Sequence, residues 1–123
     1  MHTIDSLIHY IGVHTSWIGY TYLGMAVEMA IPLIVNHSTH RFMMQLYASV
    51  SQAAGVRQTS VSREIARAVD DMWYNGGSKR LEHLLGRPLY DKPMPRDVIV
   101  YLAVIILRSE DENIRDETRM IDA

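Results

Sequence analysis

The residues most capable of chemistry lie between positions 58 and 67. Thr59, Ser62, Arg63 and Arg67 recur at intervals of three and four, and Gln58 precedes them, so a helix would carry them on one side. An arginine can bond guanine O6 and N7, a glutamine can bond adenine, and a threonine can touch the thymine methyl group. We therefore predict a surface that reads base edges. The alternative is an ordinary solvated face, since amphipathic helices with two outward arginines are common.

A helix-turn-helix would position that surface. Small residues precede the turn at Ala53 and Ala54, Gly55 tolerates a positive φ, and Val56 can fill the corner between the helices. The second helix then needs one apolar stripe, and apolar residues recur at i, i+4, i+7 and i+11. These residues are Val61, Ile65, Ala68 and Met72. Such a corner places the polar side of the second helix in the major groove.

Basic residues surround the predicted reading surface. The chain has a net charge of −2, but residues 57–96 hold eight basic and five acidic residues. The candidates for contacts with the phosphate backbone, which position a protein without specifying sequence, are Arg57, Ser60, Lys79 and Arg80. Solvated bases are the alternative interpretation of Lys79 and Arg80.

Apolar residues recur at three and four rather than two, which predicts an all-α fold of five to six helices in a single compact domain. With 123 residues there is room for one domain. We expect helices over 4–11, from Gly19 to about Ile31 with an end or kink at Pro32, and after an N-cap at Ser38 or Thr39 as far as Gly55. Further helices are expected over 58–74, before Gly86, and from Pro95 to about Arg108.

The predicted helical domain covers residues 1–108, and residues 109–123 form an acidic tail that we expect to fray. Asn75-Gly76-Gly77 is typical of a helix C-terminus. Three prolines make residues 87–95 a loop.

The composition argues against an enzyme and against a cofactor, metal or small-molecule substrate. Cysteine is absent from the sequence, which excludes thiol nucleophiles and Cys-ligated metals. No nucleophile elbow or Walker loop is present, and Asp70 and Asp71 adjoin on a helix and so point different ways. His37 and His40 have a spacing that can share a metal, but we interpret them as structural or surface residues. The same holds for the other histidines, His2, His9, His14 and His83.

Two apolar segments bear on location and assembly. Residues 17–35 contain Glu28 and Pro32, so we interpret them as a buried core helix rather than a membrane span. Residues 98–107, from Val98 to Leu107, are all apolar and predict a helix that needs cover on every side. A homodimer through this helix is the favoured interpretation, with complete burial inside one chain as the alternative. We expect a cytoplasmic protein, since no secretory signal is visible.

Several segments resemble the C-terminal effector domain of the stage-zero sporulation response regulator. They are Ile8-His9-Tyr10-Ile11-Gly12-Val13, Gly19-Tyr20-Thr21-Tyr22-Leu23, the ungapped run from Leu46-Tyr47 to Trp73, Leu84-Leu85-Gly86 and Lys92-Pro93. The resemblance covers roughly residues 4–108. It implies about six helices around a helix-turn-helix, sequence-specific binding to double-stranded DNA, and pairing of two copies side by side. It also implies a DNA-contacting face at Ser60, Ser62, Arg63, Ala66 and Arg67.

The chain departs from that family in two respects. Of the contacting face, only Arg63 keeps the family's arginine; Ser60, Ser62 and Ala66 replace charged side chains, and Arg67 replaces a histidine. The family regulator also carries a phosphoacceptor receiver domain, which this sequence lacks, so we expect either a fragment or a stand-alone relative. A second hypothesis is therefore a protein-interaction module that has lost DNA binding and pairs through its apolar last helix.

Overall fold

Six α-helices account for most of the chain in the computed structural model, which describes the backbone of residues 3–122 and the side chains of residues 3–111. They are α1 (Ile4–Ile11), α2 (Ile18–Val35), α3 (Phe42–Ala54), α4 (Gln58–Met72), α5 (Ser78–Leu85) and α6 (Pro95–Asp122). A π-helical turn, Trp73–Gly77, joins α4 to α5. The described backbone contains no strand, which confirms the predicted all-α fold.

Helix α2 is the central element and packs against α1, α3, α4 and α6. It buries Tyr20, Leu23, Ala26, Val27 and Ala30, each no more than 1% exposed, so the predicted core helix is confirmed. Within the described residues, it is also the one helix that is long and apolar enough to cross a bilayer.

The close approach of α2 to α4 depends on Gly19. A Cβ added at Gly19 would lie 2.1 Å from the backbone carbonyl oxygen of Glu64, a distance that no real side chain tolerates. The two helices therefore touch backbone to backbone at this point. This contact fixes α4 against the core.

The boundaries of the first helix match the prediction more closely than those of the second. Helix α1 begins with a capping box between Thr3 and Ser6. It ends at Ile11 and is capped by Gly12, where the sequence predicted its end. Helix α2, however, continues past Pro32 to Val35, so the expected end near Ile31 was wrong. Pro32 is exposed and close to the helix C-terminus, where its missing N–H removes one hydrogen bond and the ring meets little else.

The predicted N-cap of α3 was also wrong. Neither Ser38 nor Thr39 caps this helix, because it begins at Phe42 after Arg41, whose φ of 51° and ψ of 44° are left-handed. Gln45 lies in the first turn and donates from Nε2 to the carbonyl oxygens of Ser38 (3.2 Å) and His40 (2.6 Å). A side chain inside the helix thus orders the preceding loop.

Asn75-Gly76-Gly77, predicted to end a helix, instead lies at a kink between α4 and α5. Helix α4 ends at Met72, two residues before the predicted end, and Gly76 adopts a φ of 115° inside the π-helical turn. The chain then enters α5 at once, at Ser78. Gly77 packs against the carbonyl oxygen of Ile11, 2.0 Å from where its Cβ would be, so this glycine is required by space.

Helix α6 begins at Pro95 as predicted but runs to Asp122, so the expected end near Arg108 was wrong. One side of it is in the core, with Val98, Ile99, Leu102, Ala103 and Ile106 all buried. The expected fraying of residues 109–123 stays a prediction, and Ala123 lies outside the described residues.

Candidate nucleic-acid interface

The turn between α3 and α4 has the predicted helix-turn-helix chemistry. Gly55 adopts a φ of 70° with open space around it, so its backbone conformation alone explains the glycine. The carbonyl oxygen of Ser51 accepts from the N–H groups of Gly55 (2.9 Å) and Val56 (3.2 Å). The Ser51 hydroxyl donates to the Val56 carbonyl oxygen. Val56 itself packs against the core, filling the corner as expected.

Helix α4 divides cleanly into two faces. Its predicted apolar stripe is fully buried, with Val61, Ile65 and Ala68 at 0% exposure and Met72 at 1%. These side chains hold the helix in the corner between α2 and α3. The stripe therefore fixes which side of α4 faces outward.

The outward side carries the predicted base-reading residues, namely Gln58, Thr59, Ser62, Arg63 and Arg67. All are exposed except Ser62, which is half-buried and donates its hydroxyl to the Thr59 carbonyl oxygen at 3.2 Å. The side chains of Arg63 and Arg67 are 67% and 63% exposed. The structure thus brings these five side chains onto one accessible face, referred to below as the reading face.

The predicted phosphate contacts are spread over both ends of α4. Arg57 is exposed at its N-terminus, and Ser60 is half-buried in its first turn. Helix α4 is about 22 Å long, and Lys79 and Arg80 lie beyond its C-terminal end, in the first turn of α5. Lys79 is exposed, with its Nζ 3.8 Å from Glu82 Oε2. Arg80 is half-buried, and its Nε has no hydrogen-bond partner among the described side chains.

Sequence reasoning missed an acidic residue beside the two arginines. Glu64 Oε1 lies 3.5 Å from Arg63 Nε and 3.4 Å from Arg67 Nη1. An acid three residues before an arginine is a recognisable helical pair, so this contact could have been found from spacing.

A buried carboxylate at the C-terminal end of α4 was also missed. The Asp71 side chain is 1% exposed and accepts four hydrogen bonds. They come from the His14 backbone N–H (2.9 Å), His14 Nδ1 (2.6 Å), the Tyr20 hydroxyl (2.6 Å) and Asn75 Nδ2 (2.7 Å). These residues are referred to below as the Asp71 cluster. The cluster ties the loop before α2, and α2 itself, to the end of α4.

The cluster shifts the titration of its members. Burial alone would raise the pKa of Asp71, but the bonds from Tyr20, His14 and Asn75 outweigh it and hold that pKa far below its usual range. The pKa of Tyr20 is raised, chiefly by burial and then by its bond to Asp71. Asp71 is therefore an ionised acceptor, and Tyr20 a neutral donor.

Asp70 behaves quite differently from Asp71. As expected for adjoining helical residues, it points another way: Asp70 is exposed, and its Oδ1 lies 2.5 Å from Lys92 Nζ.

The loop before α2 also presents a ring pair, since His14 stacks on Trp17 at a centroid distance of 5.0 Å. Trp17, Arg67 and Asp70 line one shallow depression beside α4.

The predicted histidine pair stays at the surface, with His37 and His40 both exposed. His2 lies outside the described residues. Among the side chains described, no group of three or more histidine, aspartate or glutamate residues is arranged to hold a metal ion.

The family described as "Sporulation initiation factor Spo0A C terminal" matches residues 4–106, which include the helix-turn-helix, the Asp71 cluster and most of the apolar part of α6. A search of curated proteins finds no match.

Proposed function

This chain belongs to the family of C-terminal domains of the sporulation initiation factor Spo0A, and from that premise we propose that it is a sequence-specific transcription regulator that inserts α4 into the major groove of DNA. The family is one of DNA-binding effector domains of a sporulation regulator and not an enzyme family.

The reading face is the observation that supports the proposal most strongly. Its arginines are about two-thirds exposed, while the opposite stripe of the same helix is buried. A helix held in this way can present its first turns to base edges without rearranging the core. Gln58, Thr59, Ser62, Arg63 and Arg67 are accordingly assigned to base edges.

The basic residues flanking α4 are assigned to phosphates. Arg57 and Ser60 lie at its N-terminal end, and Lys79 and Arg80 follow its C-terminal end. A helix in the major groove has a phosphate backbone along each side, so cations at both ends can fix its register. We place the protein in the cytoplasm, with the DNA that it binds.

Selection from a pool of random duplexes tests this function. The purified chain should enrich one sequence family, and its affinity for the enriched duplex should fall steeply with salt, as phosphate contacts require. Failure to enrich any sequence would contradict the proposal.

Homodimer formation through α6 forms part of the proposal. Beside its buried side, α6 leaves Val104 and Leu107 half-buried, one helical turn apart, and neither belongs to the residues packed against the core. Val104→Glu should shift the sedimentation coefficient toward that of a monomer and weaken binding to two adjacent sites more than to one. An unchanged sedimentation profile would count against this interface.

A second candidate function is a protein-interaction module with the same fold. It is favoured by the position of Glu64, which partly neutralises both arginines of the reading face, and by the short side chains of Ser62 and Ala66. Such a module would bind DNA weakly or show an affinity that barely changes with salt. The salt titration described above therefore separates the two candidates.

A further inference from the structure

Glu64 is shared by both arginines of the reading face. Its Oε1 is within 3.5 Å of a guanidinium nitrogen of each arginine, and its side chain is only 20% exposed, whereas both arginines are well exposed. One carboxylate oxygen therefore serves the two cations proposed to contact base edges.

The position of Glu64 is fixed by the core. Its backbone carbonyl oxygen abuts Gly19 so closely that no Cβ fits between them. The main chain at Glu64 is therefore held against α2, and the carboxylate reaches the arginines along the surface of α4 itself. This arrangement does not depend on DNA, so the free protein already pairs its reading arginines.

Pairing of this kind affects different DNA sequences unequally. When an arginine leaves Glu64 to contact a phosphate, the unpaired carboxylate is repelled by the negatively charged DNA. Phosphates are present on every sequence, so this cost applies to every duplex. At a correct site, base contacts compensate for the lost ion pair, because guanine accepts two hydrogen bonds from arginine and the cytosine amino group donates to a carboxylate. The carboxylate therefore weakens binding to nonspecific DNA more than binding to the target sequence.

We propose that Glu64 is a specificity-determining residue, which restrains Arg63 and Arg67 and thereby suppresses binding to DNA that lacks the target bases. This inference rests on the proposed function and adds a residue that the sequence pattern did not include in the reading face. It predicts that removing the carboxylate makes the protein bind more tightly but less selectively.

The test compares the wild-type protein with Glu64→Gln on two duplexes, one selected by the wild-type chain and one with the same bases in scrambled order. The variant should bind the scrambled duplex about three- to tenfold more tightly, the size expected for one or two exposed ion pairs. Its affinity for the selected duplex should change less than about twofold, since base contacts already compensate there. The salt dependence on scrambled DNA should also become steeper.

Two further variants make the outcome decisive. Glu28→Gln changes the net charge equally but lies on α2 beside the groove with α1, so it should leave both affinities unchanged. Glu64→Asp keeps the charge but shortens the reach to the arginines, and it should also lower the ratio of selected to scrambled affinity. This variant carries the test if Glu64→Gln fails to fold.

The results also separate this inference from the function on which it rests. Equal tightening on both duplexes would overturn the role of Glu64, because it would show a general charge effect, and no tightening would overturn it as well. A wild-type chain that selects no DNA sequence would instead contradict the proposed function, and this inference with it.

Discussion

The two ends of α4 are built on different principles. Toward its N-terminus the helix carries exposed polar and cationic side chains whose ion pairs are 3.4–3.5 Å long. At its C-terminal end it buries Asp71, which accepts four hydrogen bonds of 2.6–2.9 Å. The exposed end can change partners at small cost, whereas the buried end cannot. The exposed N-terminal part of α4 can thus make contacts with a partner, while the buried C-terminal end fixes the orientation of the helix.

This separation has an energetic basis. Exposed ion pairs contribute little because water and salt compete for each charge. A buried carboxylate, in contrast, is tolerated only while its hydrogen bonds are complete, and loss of a partner leaves an unpaired polar group in the interior. The comparison therefore predicts large effects on stability at the Asp71 cluster and effects on binding alone at the reading face.

The largest effect is expected for Asp71→Ala. This change leaves the Tyr20 hydroxyl and the His14 backbone N–H without their acceptor, and it should lower the free energy of unfolding by about 3–5 kcal/mol. Urea denaturation at pH 7 measures the loss. The neighbouring Asp70→Ala is the matched control, because Asp70 is exposed and should leave the urea midpoint nearly unchanged. Similar losses for the two variants would show that burial of the carboxylate is not what makes the Asp71 cluster stabilising.

Acid should weaken the same cluster without mutation. Because the pKa of Asp71 is lower in the folded chain than in the unfolded one, the unfolded chain takes up the proton first as pH falls. The stability from Asp71 is fully present above its unfolded pKa, about 3.9, and is lost as pH falls toward the folded value. Urea midpoints measured between pH 6 and pH 2.5 should fall. Asp71→Asn should lack this part of the decline, and an equal decline in both proteins would argue against the cluster.

A smaller effect, confined to binding, is expected for Arg63→Ala. Loss of a base contact should cost about 1–3 kcal/mol on the selected duplex and relax the preference at one base pair. Lys79→Ala is the contrasting variant, because a phosphate contact should weaken binding to all sequences alike. Gel-shift titrations on selected and scrambled duplexes measure both. Equal loss on both duplexes for Arg63→Ala would exclude a base-reading role.

The helix-turn-helix could be predicted because its determinants are local. Gly55, Val56 and the stripe from Val61 to Met72 lie within one stretch of chain, and each has the role that its spacing predicted. Pro95 at the start of α6 and Gly86 at the end of α5 were local signals too. In contrast, the cap of α3 was missed, because Arg41 adopts a left-handed conformation that its residue type does not indicate.

The Asp71 cluster could not be predicted because two of its three partner residues are distant in sequence. His14 and Tyr20 lie 57 and 51 residues away from Asp71, and no helical periodicity connects them. Helical spacing showed correctly that Asp70 and Asp71 diverge, yet it could not show which of them is buried. That choice is made by the packing of α2 against α4, which depends on Gly19 as well.

The smallest effect is expected for Lys92→Ala, which removes an exposed ion pair at the same end of α4 as the buried Asp71 cluster. Lys92 Nζ lies 2.5 Å from Asp70 Oδ1 and 5.5 Å from the centre of the Tyr74 ring. The hydrogen bond to Asp70 raises the pKa of Lys92, so the ammonium group is charged at neutral pH, where the comparison is made. Both groups are reached by solvent, and salt should screen their attraction. The urea midpoint of Lys92→Ala should therefore differ slightly from wild type at low ionic strength and not measurably at high ionic strength. If the variant instead loses as much stability as Asp71→Ala, the ion pair with Asp70 is a structural contact, and exposed as well as buried contacts hold the C-terminal end of α4.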